Sequence, residues 1–236
     1  MSAEEQTIHV NFSRPMPLFP LDSVALLPQQ VIPLHIFEPR YRQLAGHALD
    51  AAGQIAMATY KGQDWKQEYH GNPPLRQAVC VGQIVEHEAL PDGRFNILLQ
   101  GVCRARIEQH LMPDETHQYR RAVLEPLGRE PGDPEALDMA RERIDERLSE
   151  GPLTQVAGAE EVLRYVRNSE VPTPALLELV AFALLKDAPT RYRLLAEGDP
   201  GRRCDLIERR LDDLERLIRQ AQRQHPEDWP RGCSWN

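Results

Sequence analysis

The sequence predicts an α+β protein in which a small β-barrel is followed by a bundle of helices. Two observations predict this fold class. Between residues 12 and 126 the apolar residues come in short runs separated by proline and glycine, which is typical of β-strands. From residue 133 to residue 222 they recur at helical spacing. We therefore expect a barrel domain over residues 12–126, a helical domain over 133–222 and a loosely held tail over 225–236.

The first half contains short apolar runs that are candidate strands, enough for a small barrel. They cover residues 24–27, 55–60, 79–85, 95–99, 102–107 and 122–124. The clearest local signal is Pro91-Asp92-Gly93, because these three residue types favour a tight turn. We expect the runs on either side of it to form an antiparallel hairpin. The polar segment 61–76 should be an exposed loop.

One helix is predicted among the strands. Pro39 suits a first helical turn, and Gly53 is expected to end the helix. Five apolar residues between them share one face, namely Tyr41, Leu44, Ala45, Ala48 and Leu49.

Three helices are predicted in the second half. Asp133-Pro134 and Thr173-Pro174 each have the pattern of an N-cap followed by the first helical residue. Residues 176–185 are apolar nearly all round and should form the centre of the helical core. The third helix, over residues 205–222, carries a stripe close to a heptad, formed by Ile207, Leu211, Leu214, Leu217 and Ile218. This stripe packs on the chain's own core or on a coiled-coil partner, so the oligomeric state stays open.

Composition excludes several classes of partner and location. The net charge of -8 argues against nucleic acid as the default partner, since affinity for nucleic acid comes mostly from cations that neutralise phosphates. The longest apolar run, residues 179–185, is too short to cross a membrane, and the start Met1–Glu5 is acidic, unlike a secretory leader. The cysteines, Cys80, Cys103, Cys204 and Cys233, form no CxxC pair and indicate reduced thiols. We expect a cytoplasmic protein.

The sequence lacks the short motifs that mark the common catalytic and metal sites. It has no glycine-rich loop ending in lysine for phosphates and no serine elbow. His87-Glu88 begins a zinc-protease motif, but Pro91 follows and the second histidine of the motif is missing. The spacing of His110 and His117 is more typical of surface histidines than of metal ligands. We predict no cofactor, no metal and no enzyme activity, although a site assembled in space from distant residues stays open.

Several segments resemble a known family. Residues 16–42 read MPLFPLDSVALLPQQVIPLHIFEPRYR, followed by VGQI at 81–84, LPDGR at 90–94 and LQGVCRARI at 99–107. This series is similar to the opening, the hairpin and the glycine-arginine strand of the N-terminal substrate-binding domain of the ATP-dependent Lon proteases. The resemblance covers residues 15–126 with specific motifs and the helical remainder through its pattern.

The resemblance implies a PUA-like pseudo-barrel packed against a helical bundle, an arrangement that also occurs in cereblon and in stand-alone bacterial proteins. In Lon proteases the last helix of the bundle leads on to an ATPase module and a Ser-Lys peptidase. The sequence has no counterpart of the Walker loop or of the regions carrying the catalytic Ser and Lys. We therefore expect the binding role of the family without its catalysis.

Much of the 16–42 motif has a structural interpretation. Its prolines, at positions 17, 20, 28 and 33, remove backbone donors and should hold an irregular entry strand along the barrel. Its large apolar side chains should fill the interior; these are Phe19, Leu21, Leu34, Ile36 and Phe37.

Five residues are candidates for contact with a partner. His35, Glu38 and Arg40 either form a hydrogen-bonded set that ties the first helix to the barrel or touch a ligand. Arg104 and Arg106 lie two residues apart on one strand face, which is either a solvated face with salt bridges to glutamates or a partner-binding patch.

The leading functional hypothesis is non-catalytic recognition of unfolded or extended polypeptide. Binding would take place in an apolar groove between barrel and bundle or at an unpaired strand edge, in protein quality control, with or without a protease or chaperone as partner. RNA binding is the alternative, because PUA-like barrels elsewhere hold RNA, but 36 acidic residues outnumber 28 basic ones. Hydrolysis at an unrecognised site is the third hypothesis.

Overall fold

The computed structural model describes residues 8–22, 24–62, 64–66, 72–128 and 132–223. The chain divides into two compact units, Met1–Pro131 with Lys186–Asp199, and Gly132–Leu185 with Pro200–Asn236. The acidic start, the tail predicted over 225–236 and Cys233 lie outside the described residues.

The strands of the first unit form one sheet that closes into a barrel. They are β1 (Met16–Leu21), β2 (Val31–Ile36), β3 (Gln54–Thr59), β4 (Ala78–Ala89), β5 (Phe95–Leu111) and β6 (Arg121–Pro126). The strand order is β2-β5-β4-β3-β1-β6, and a further pairing of β5 with β6 closes the barrel. β1 and β3 run parallel, whereas the other pairs are antiparallel.

The interior of the barrel is a packed apolar core. β3 is buried over its full length. The core residues are Met16, Leu18, Ala56, Ala58, Tyr60, Leu75, Val79, Val81, Ala105, Ile107, Ala122 and Leu124. Because this interior is filled, a binding site has to lie on the outside or at the ends of the barrel.

β5 is one strand where the sequence predicted two. The pattern predicted a break between 95–99 and 102–107, since Gln100 and Gly101 interrupt the apolar run. In the structure the strand continues, and a Cβ atom built on Gly101 would overlap the carbonyl oxygen of Leu27. Gly101 therefore marks a close approach of two backbones rather than the end of a strand.

The strand predicted over residues 24–27 is absent. These residues form an unpaired segment in which Leu26 and Leu27 are fully buried. The entry strand is β1, which includes Pro17 and Pro20. An apolar run of four residues looks alike in a buried loop and in a strand, so the pattern alone misassigned it.

The hairpin between β4 and β5 is formed as predicted. The two strands pair antiparallel, and Gly93 in their turn has a φ of 79°. Asp92 Oδ1 accepts from the backbone N–H of Arg94 at 3.1 Å. Arg42 donates to the carbonyl oxygen of Gly93 at 2.6 Å and so holds this turn against the first helix.

The first helix, α1 (Pro39–Leu49), also has the predicted bounds. Its buried face consists of Tyr41, Leu44, Ala45 and Ala48. Gly53, with a φ of 70°, donates its N–H to the carbonyl oxygen of Ala48 at 2.8 Å, which ends the helix.

The segment predicted as an exposed loop is partly packed. In its described part Leu75 is buried, and Trp65, in the short 3-10 helix Asp64–Lys66, stacks on Tyr60 with ring centroids 4.8 Å apart. An isolated bridge joins Tyr60 to Leu75.

The second unit is helical. Its helices are α2 (Pro134–Ser149), α3 (Ala159–Val166), α4 (Thr173–Leu184) and α6 (Pro200–Arg223), with a 3-10 turn at Pro152–Gln155. α2 begins as predicted, because the side chain of Asp133 accepts from the N–H of Glu135. The predicted core helix is α4, whose residues Leu176, Leu177 and Val180 are buried.

Two details of the helical prediction are wrong. Thr173 is not the N-cap of α4; that position is Pro172, which makes no side-chain cap hydrogen bond. α6 begins at Pro200 rather than near residue 205. Its stripe is buried at its start, at Ile207 and Leu211, and becomes less covered further along, where Leu217 is 62% exposed.

α3 and α5 (Ala188–Ala196) were not predicted. The sequence assigned residues 133–222 to one helical domain, whereas α5 belongs to the first unit. There Tyr192 accepts from the N–H of Ala78 in β4 at 3.0 Å, and Arg104 of β5 donates to the carbonyl oxygen of Leu194. α5 thus covers the outer face of the sheet.

The remaining expectations concern thiols and membranes. Cys80 and Cys204 are buried free cysteines, and burial raises the pKa of the Cys204 thiol to about 12. Within the part of the chain that the structure describes, none of the helices combines the length and the apolar character needed to span a bilayer.

A groove beside the first helix as candidate binding site

A groove of the first unit lies where the C-terminal end of α1 meets β1 and the segment before β6. Its volume is about 680 Å³. Small and apolar residues line much of it, namely Pro15, Met16, Pro17, Ala48, Ala51 and Ala52. Polar side chains complete the lining: Asn11, Arg14, His47, Gln54, His117, Tyr119 and Arg121. This combination of apolar surface with a few polar groups is typical of ligand sites.

An aromatic cluster forms one wall of the groove. The rings of His47, His117 and Tyr119 meet edge to face, with centroid distances between 5.5 and 5.7 Å. The Tyr119 hydroxyl lies 2.9 Å from Nδ1 of His47, and burial raises the pKa of Tyr119. The cluster is therefore a fixed surface with polar edges.

α1 positions this wall through Gln43. The Oε1 atom of Gln43 accepts from the N–H of Gln118 at 2.7 Å, and its Nε2 atom donates to the carbonyl oxygen of Thr116 at 3.3 Å. One side chain of the helix thus holds the loop that carries His117 and Tyr119.

Asp114 organises the same loop. Its Oδ1 atom accepts from the Thr116 hydroxyl at 2.7 Å and from the N–H of His117 at 2.8 Å. Its Oδ2 atom pairs with Arg121 at 2.7 Å. The hydrogen bond from the Thr116 side chain, followed by the bonds from His117, lowers the pKa of Asp114. The carboxylate is thus a structural anchor and stays ionised at neutral pH.

The charge of the groove differs from the charge of the chain. Two arginines and two histidines line it, and among the described lining residues there is no carboxylate, although Arg121 is paired with Asp114 beside the groove. The chain as a whole has a net charge of -8. The groove therefore offers donors and apolar surface to a ligand without repelling an acidic one.

A smaller pocket of about 320 Å³ shares Tyr119 with the groove. It lies at one end of β1, and its polar lining includes Arg40, Tyr41, Tyr60 and Arg120. Of the predicted candidates, Arg40 is the one placed in a pocket together with other cationic and hydroxyl groups.

His35, Glu38 and Arg40 do not form a single hydrogen-bonded set. Glu38 and Arg40 make an ion pair at 3.1 Å. His35 lies apart on β2, where Nδ1 is 2.7 Å from Asn96 Oδ1 on the neighbouring strand. Phe37, predicted to fill the interior, is 59% exposed and stacks on His35 instead.

Arg104 and Arg106 also have different surroundings. Arg104 is 6% exposed, lies beneath α5 and donates to the carbonyl oxygen of Leu194 at 3.1 Å. Arg106 is exposed and pairs with Glu108 at 3.1 Å and with Glu125 at 2.7 Å. The arrangement at Arg106 is the salt-bridged solvated face, and the covered position of Arg104 was not foreseen.

The outer edge of β2 is poorly suited to strand addition. Among the described residues β2 is paired only with β5. The N–H of Gly101 donates to the carbonyl oxygen of Gln30, so by alternation Val31, Pro33 and His35 direct their backbone groups away from β5. Pro33 has no N–H, which removes the central donor of this edge.

Sequence reasoning missed most of the groove and pocket. Arg120, Tyr41 and Tyr60 were not candidates as binding residues, and His117 was considered only as a metal ligand. The sequence signal that could have indicated this site is the run Tyr119-Arg120-Arg121, in which an aromatic residue and two cations stand at the start of a strand. No group of three or more His, Cys, Asp or Glu side chains suited to a metal occurs in the described ranges.

Two solved structures share this fold. The N-terminal domain of Mycobacterium avium complex Lon protease matches with a TM-score of 0.65 at 16% identity, over 85% of this chain and 99% of that chain. A Lon N-terminal domain protein from Xanthomonas campestris matches with a TM-score of 0.54 at 21% identity, over 81% and 95%. The barrel with its helices is therefore the fold of Lon N-terminal domains.

The sequence comparison leads to the family itself. The family model of the ATP-dependent protease La (LON) substrate-binding domain matches residues 15–213. The chain belongs to this family, as the motifs of residues 16–107 predicted.

The relatives are bacterial Lon proteases. The Lon protease of Geobacter metallireducens is 26% identical over 205 residues, which are 86% of this chain and 24% of the relative. The Lon protease of Trichlorobacter lovleyi is 28% identical over 215 residues, or 89% and 25%. The chain spans about a quarter of the length of these curated relatives.

Proposed function

We propose that this chain binds unfolded or extended polypeptide without catalysing a reaction on it, and that the groove beside α1 holds the bound segment. The observation that carries the proposal is the 680 Å³ groove, apolar in much of its lining and free of carboxylates among its described residues. Membership of a substrate-binding family supports it.

The lining explains why the ligand is a polypeptide of relaxed sequence. Small side chains such as Ala48, Ala51 and Ala52 leave room for side chains of different size, and apolar contact with them is non-directional. His47, Gln54 and Arg121 at the margins offer polar groups to a peptide backbone. Such binding is of moderate strength, about 1 μM or weaker, because the extended segment loses conformational entropy on binding.

A role in protein quality control follows from this mode of binding. An unfolded chain exposes the apolar segments that a folded protein buries, so a groove of this kind discriminates by folding state. The relatives are named Lon protease, and we propose that the chain presents such segments to a protease or chaperone.

A titration tests the proposal. The probe is a fluorescently labelled test protein that is kept unfolded by reduction and carboxamidomethylation, and its native form serves as the folded comparison. We expect saturable binding of the unfolded form by fluorescence anisotropy and at least tenfold weaker binding of the native form.

Substitution of Ala51 assigns the binding to the groove. Ala51 is exposed, and Ala51→Glu places a carboxylate where apolar ligand groups would have to desolvate it and acidic groups would be repelled. We expect at least tenfold weaker binding, equal to about 1.4 kcal/mol. The matched control is Ala136→Glu at an exposed position of α2, which should change nothing. Absence of binding, or equal binding by both variants, rejects the proposal.

A further inference from the structure

The small pocket beside the groove carries a positive charge, that of Arg120, for which the described residues provide no carboxylate partner. Arg120 is half-buried, and Nη1 of its guanidinium donates to the carbonyl oxygen of Pro73 at 2.6 Å. Its Nη2 lies 3.3 Å from Nδ1 of His110, and its Nε has no hydrogen-bond partner. Within the described parts of the chain no carboxylate pairs with this guanidinium.

His110 does not neutralise Arg120. Burial and the neighbouring Arg120 charge lower the pKa of His110, so the imidazole is neutral near pH 7 and accepts through Nδ1. Both described partners of Arg120 are therefore uncharged acceptors. A half-buried cation with neutral partners retains a strong preference for an anion.

A second guanidinium faces the same space. Arg40 comes from the first turn of α1, and its Cζ lies 4.6 Å from the centre of the Tyr41 ring. Its charge is offset by the ion pair with Glu38, which does not line the pocket. Among the residues that the structure describes, the pocket is lined by two arginines and by no carboxylate, which favours an anion as its ligand.

Two tyrosine hydroxyls that are hydrogen-bonded to each other add one neutral donor. Burial, followed by the nearby Tyr60, raises the pKa of Tyr41, so its hydroxyl keeps its proton at neutral pH. The Tyr41 ring is held against Phe19 at 4.7 Å, and the Tyr60 ring is held against Trp65. Because both rings are held in place, the hydroxyl pair has a fixed position, and the one proton that is not used between the two hydroxyls can be donated to a ligand.

We infer that this pocket binds a carboxylate of the polypeptide that the groove holds. Arg120 and Arg40 supply the charge, and the pair of tyrosine hydroxyls supplies a hydrogen bond. The inference rests on the proposed function, because Tyr119 lines both spaces and so places the pocket next to the groove.

The size and charge of the site select a carboxylate over a phosphate. A volume of about 320 Å³, with walls that include Leu18, Pro20 and Pro113, suits a single residue together with its carboxylate. A phosphate dianion would leave a negative charge against these apolar walls.

The experiment uses small blocked peptides and the full-length ¹⁵N-labelled protein. The probes are N-acetyl-Leu-Leu as the free acid, the same peptide as its amide, and N-acetyl-Glu-N-methylamide. Amide chemical shifts of Tyr41, Tyr60 and Arg120 are followed during titration. We expect saturable shifts with one or both carboxylates and at least tenfold weaker binding of the amide.

The three probes separate the two sources of a carboxylate. Binding of N-acetyl-Leu-Leu alone assigns the pocket to the C-terminus of a polypeptide, and binding of the glutamate derivative assigns it to acidic side chains. Equal binding of acid and amide, shifts confined to other parts of the protein, or stronger competition by inorganic phosphate than by acetate overturns the inference.

Variants assign the binding to the pocket. Arg120→Gln should lower the affinity for the carboxylate probe at least tenfold. Tyr60→Phe, which keeps the stacking on Trp65, should lower this affinity severalfold. Arg164→Gln, at an exposed position of α3, is the matched control and should bind as wild type. If Arg120→Gln does not fold, Tyr60→Phe decides the question.

The outcomes distinguish this inference from the proposed function. Unfolded protein that binds in an Ala51-dependent way, while no blocked peptide binds, rejects the pocket and retains the groove. Blocked acid that binds while unfolded protein does not rejects polypeptide recognition by the groove. Both assays use the same protein preparation, and the amide spectrum of the labelled protein shows whether that preparation is folded.

Discussion

Arg104 and Arg106 stand on one face of β5 in different surroundings. Arg104 lies under α5, where its guanidinium meets the carbonyl of Leu194 in the last turn of that helix. The carbonyls of a last helical turn lack partners within the helix, and a cation there also interacts favourably with the helix dipole. Arg104 is thus a structural clamp between sheet and helix.

This role of Arg104 predicts that alanine substitution of Arg104 and of Arg106 will change the stability of the protein by different amounts. Arg104→Ala should lower the free energy of unfolding by about 2 kcal/mol, because it leaves a buried carbonyl without its partner and opens space under α5. Arg106→Ala should leave the urea midpoint unchanged, since its ion pairs are exposed. Urea unfolding followed by circular dichroism measures both, and equal losses would contradict the clamp.

Asp114 gives a prediction about pH. The Thr116 hydrogen bond lowers its pKa in the folded protein below the unfolded value of about 3.9. The stabilisation from this group is therefore present above pH 4 and is lost as the pH falls through the lower folded pKa. A carboxyl-carbon NMR titration should show a midpoint below about 3.9.

A pair of variants controls this titration. Thr116→Val removes the hydroxyl and should move the midpoint of Asp114 upwards, whereas Thr116→Ser keeps the hydrogen bond and the low midpoint. An unchanged midpoint in Thr116→Val would show that the hydroxyl is not the main cause.

The candidate residues show how far sequence reasoning reaches at this scale. His35, Glu38 and Arg40 were grouped because they are close in the sequence, and Glu38 and Arg40 do make an ion pair, but the position of Arg40 in a pocket with Arg120 was not predicted. These two arginines are brought together by the pairing of β1 with β6 and by the docking of α1, which no local pattern contains.

At the scale of elements, two glycines give opposite predictions. Gly101→Ala should destabilise the first unit by about 2 to 3 kcal/mol, because the new methyl group meets the backbone of Leu27, which cannot move without disturbing β2. Gly46→Ala in α1 meets nothing within 4 Å and should stabilise by about 0.5 to 1 kcal/mol. Chemical unfolding of both variants checks this, and a tolerated Gly101→Ala would refute the close approach.

The elements that the sequence predicted are those with local signals. α2 has a capping aspartate and a four-residue stripe, and the β4–β5 hairpin has a turn tripeptide. α5 was missed because its nine residues carry no clear periodicity. Its membership of the barrel unit depends on tertiary contacts of Tyr192 and Leu194, which lie more than 80 residues from their partners.

At the scale of the whole molecule, charge is distributed unevenly. The chain carries 36 acidic and 28 basic residues, yet the described lining of the groove and of the pocket contains arginines and no carboxylate. An acidic surface disfavours nucleic acids, whereas acid-free concave sites admit acidic and apolar segments of polypeptide. Family membership and local electrostatics therefore support the same kind of ligand.

The most direct test of this account maps where an unfolded polypeptide lies. The unfolded test protein is labelled with benzophenone, bound to the chain, irradiated, and the crosslinked peptides are identified by mass spectrometry. The account predicts crosslinks concentrated in residues 11–17, 47–54 and 117–121, which line the groove, and their loss in Ala51→Glu. Crosslinks concentrated on β2 instead, or spread evenly over the surface, would contradict it.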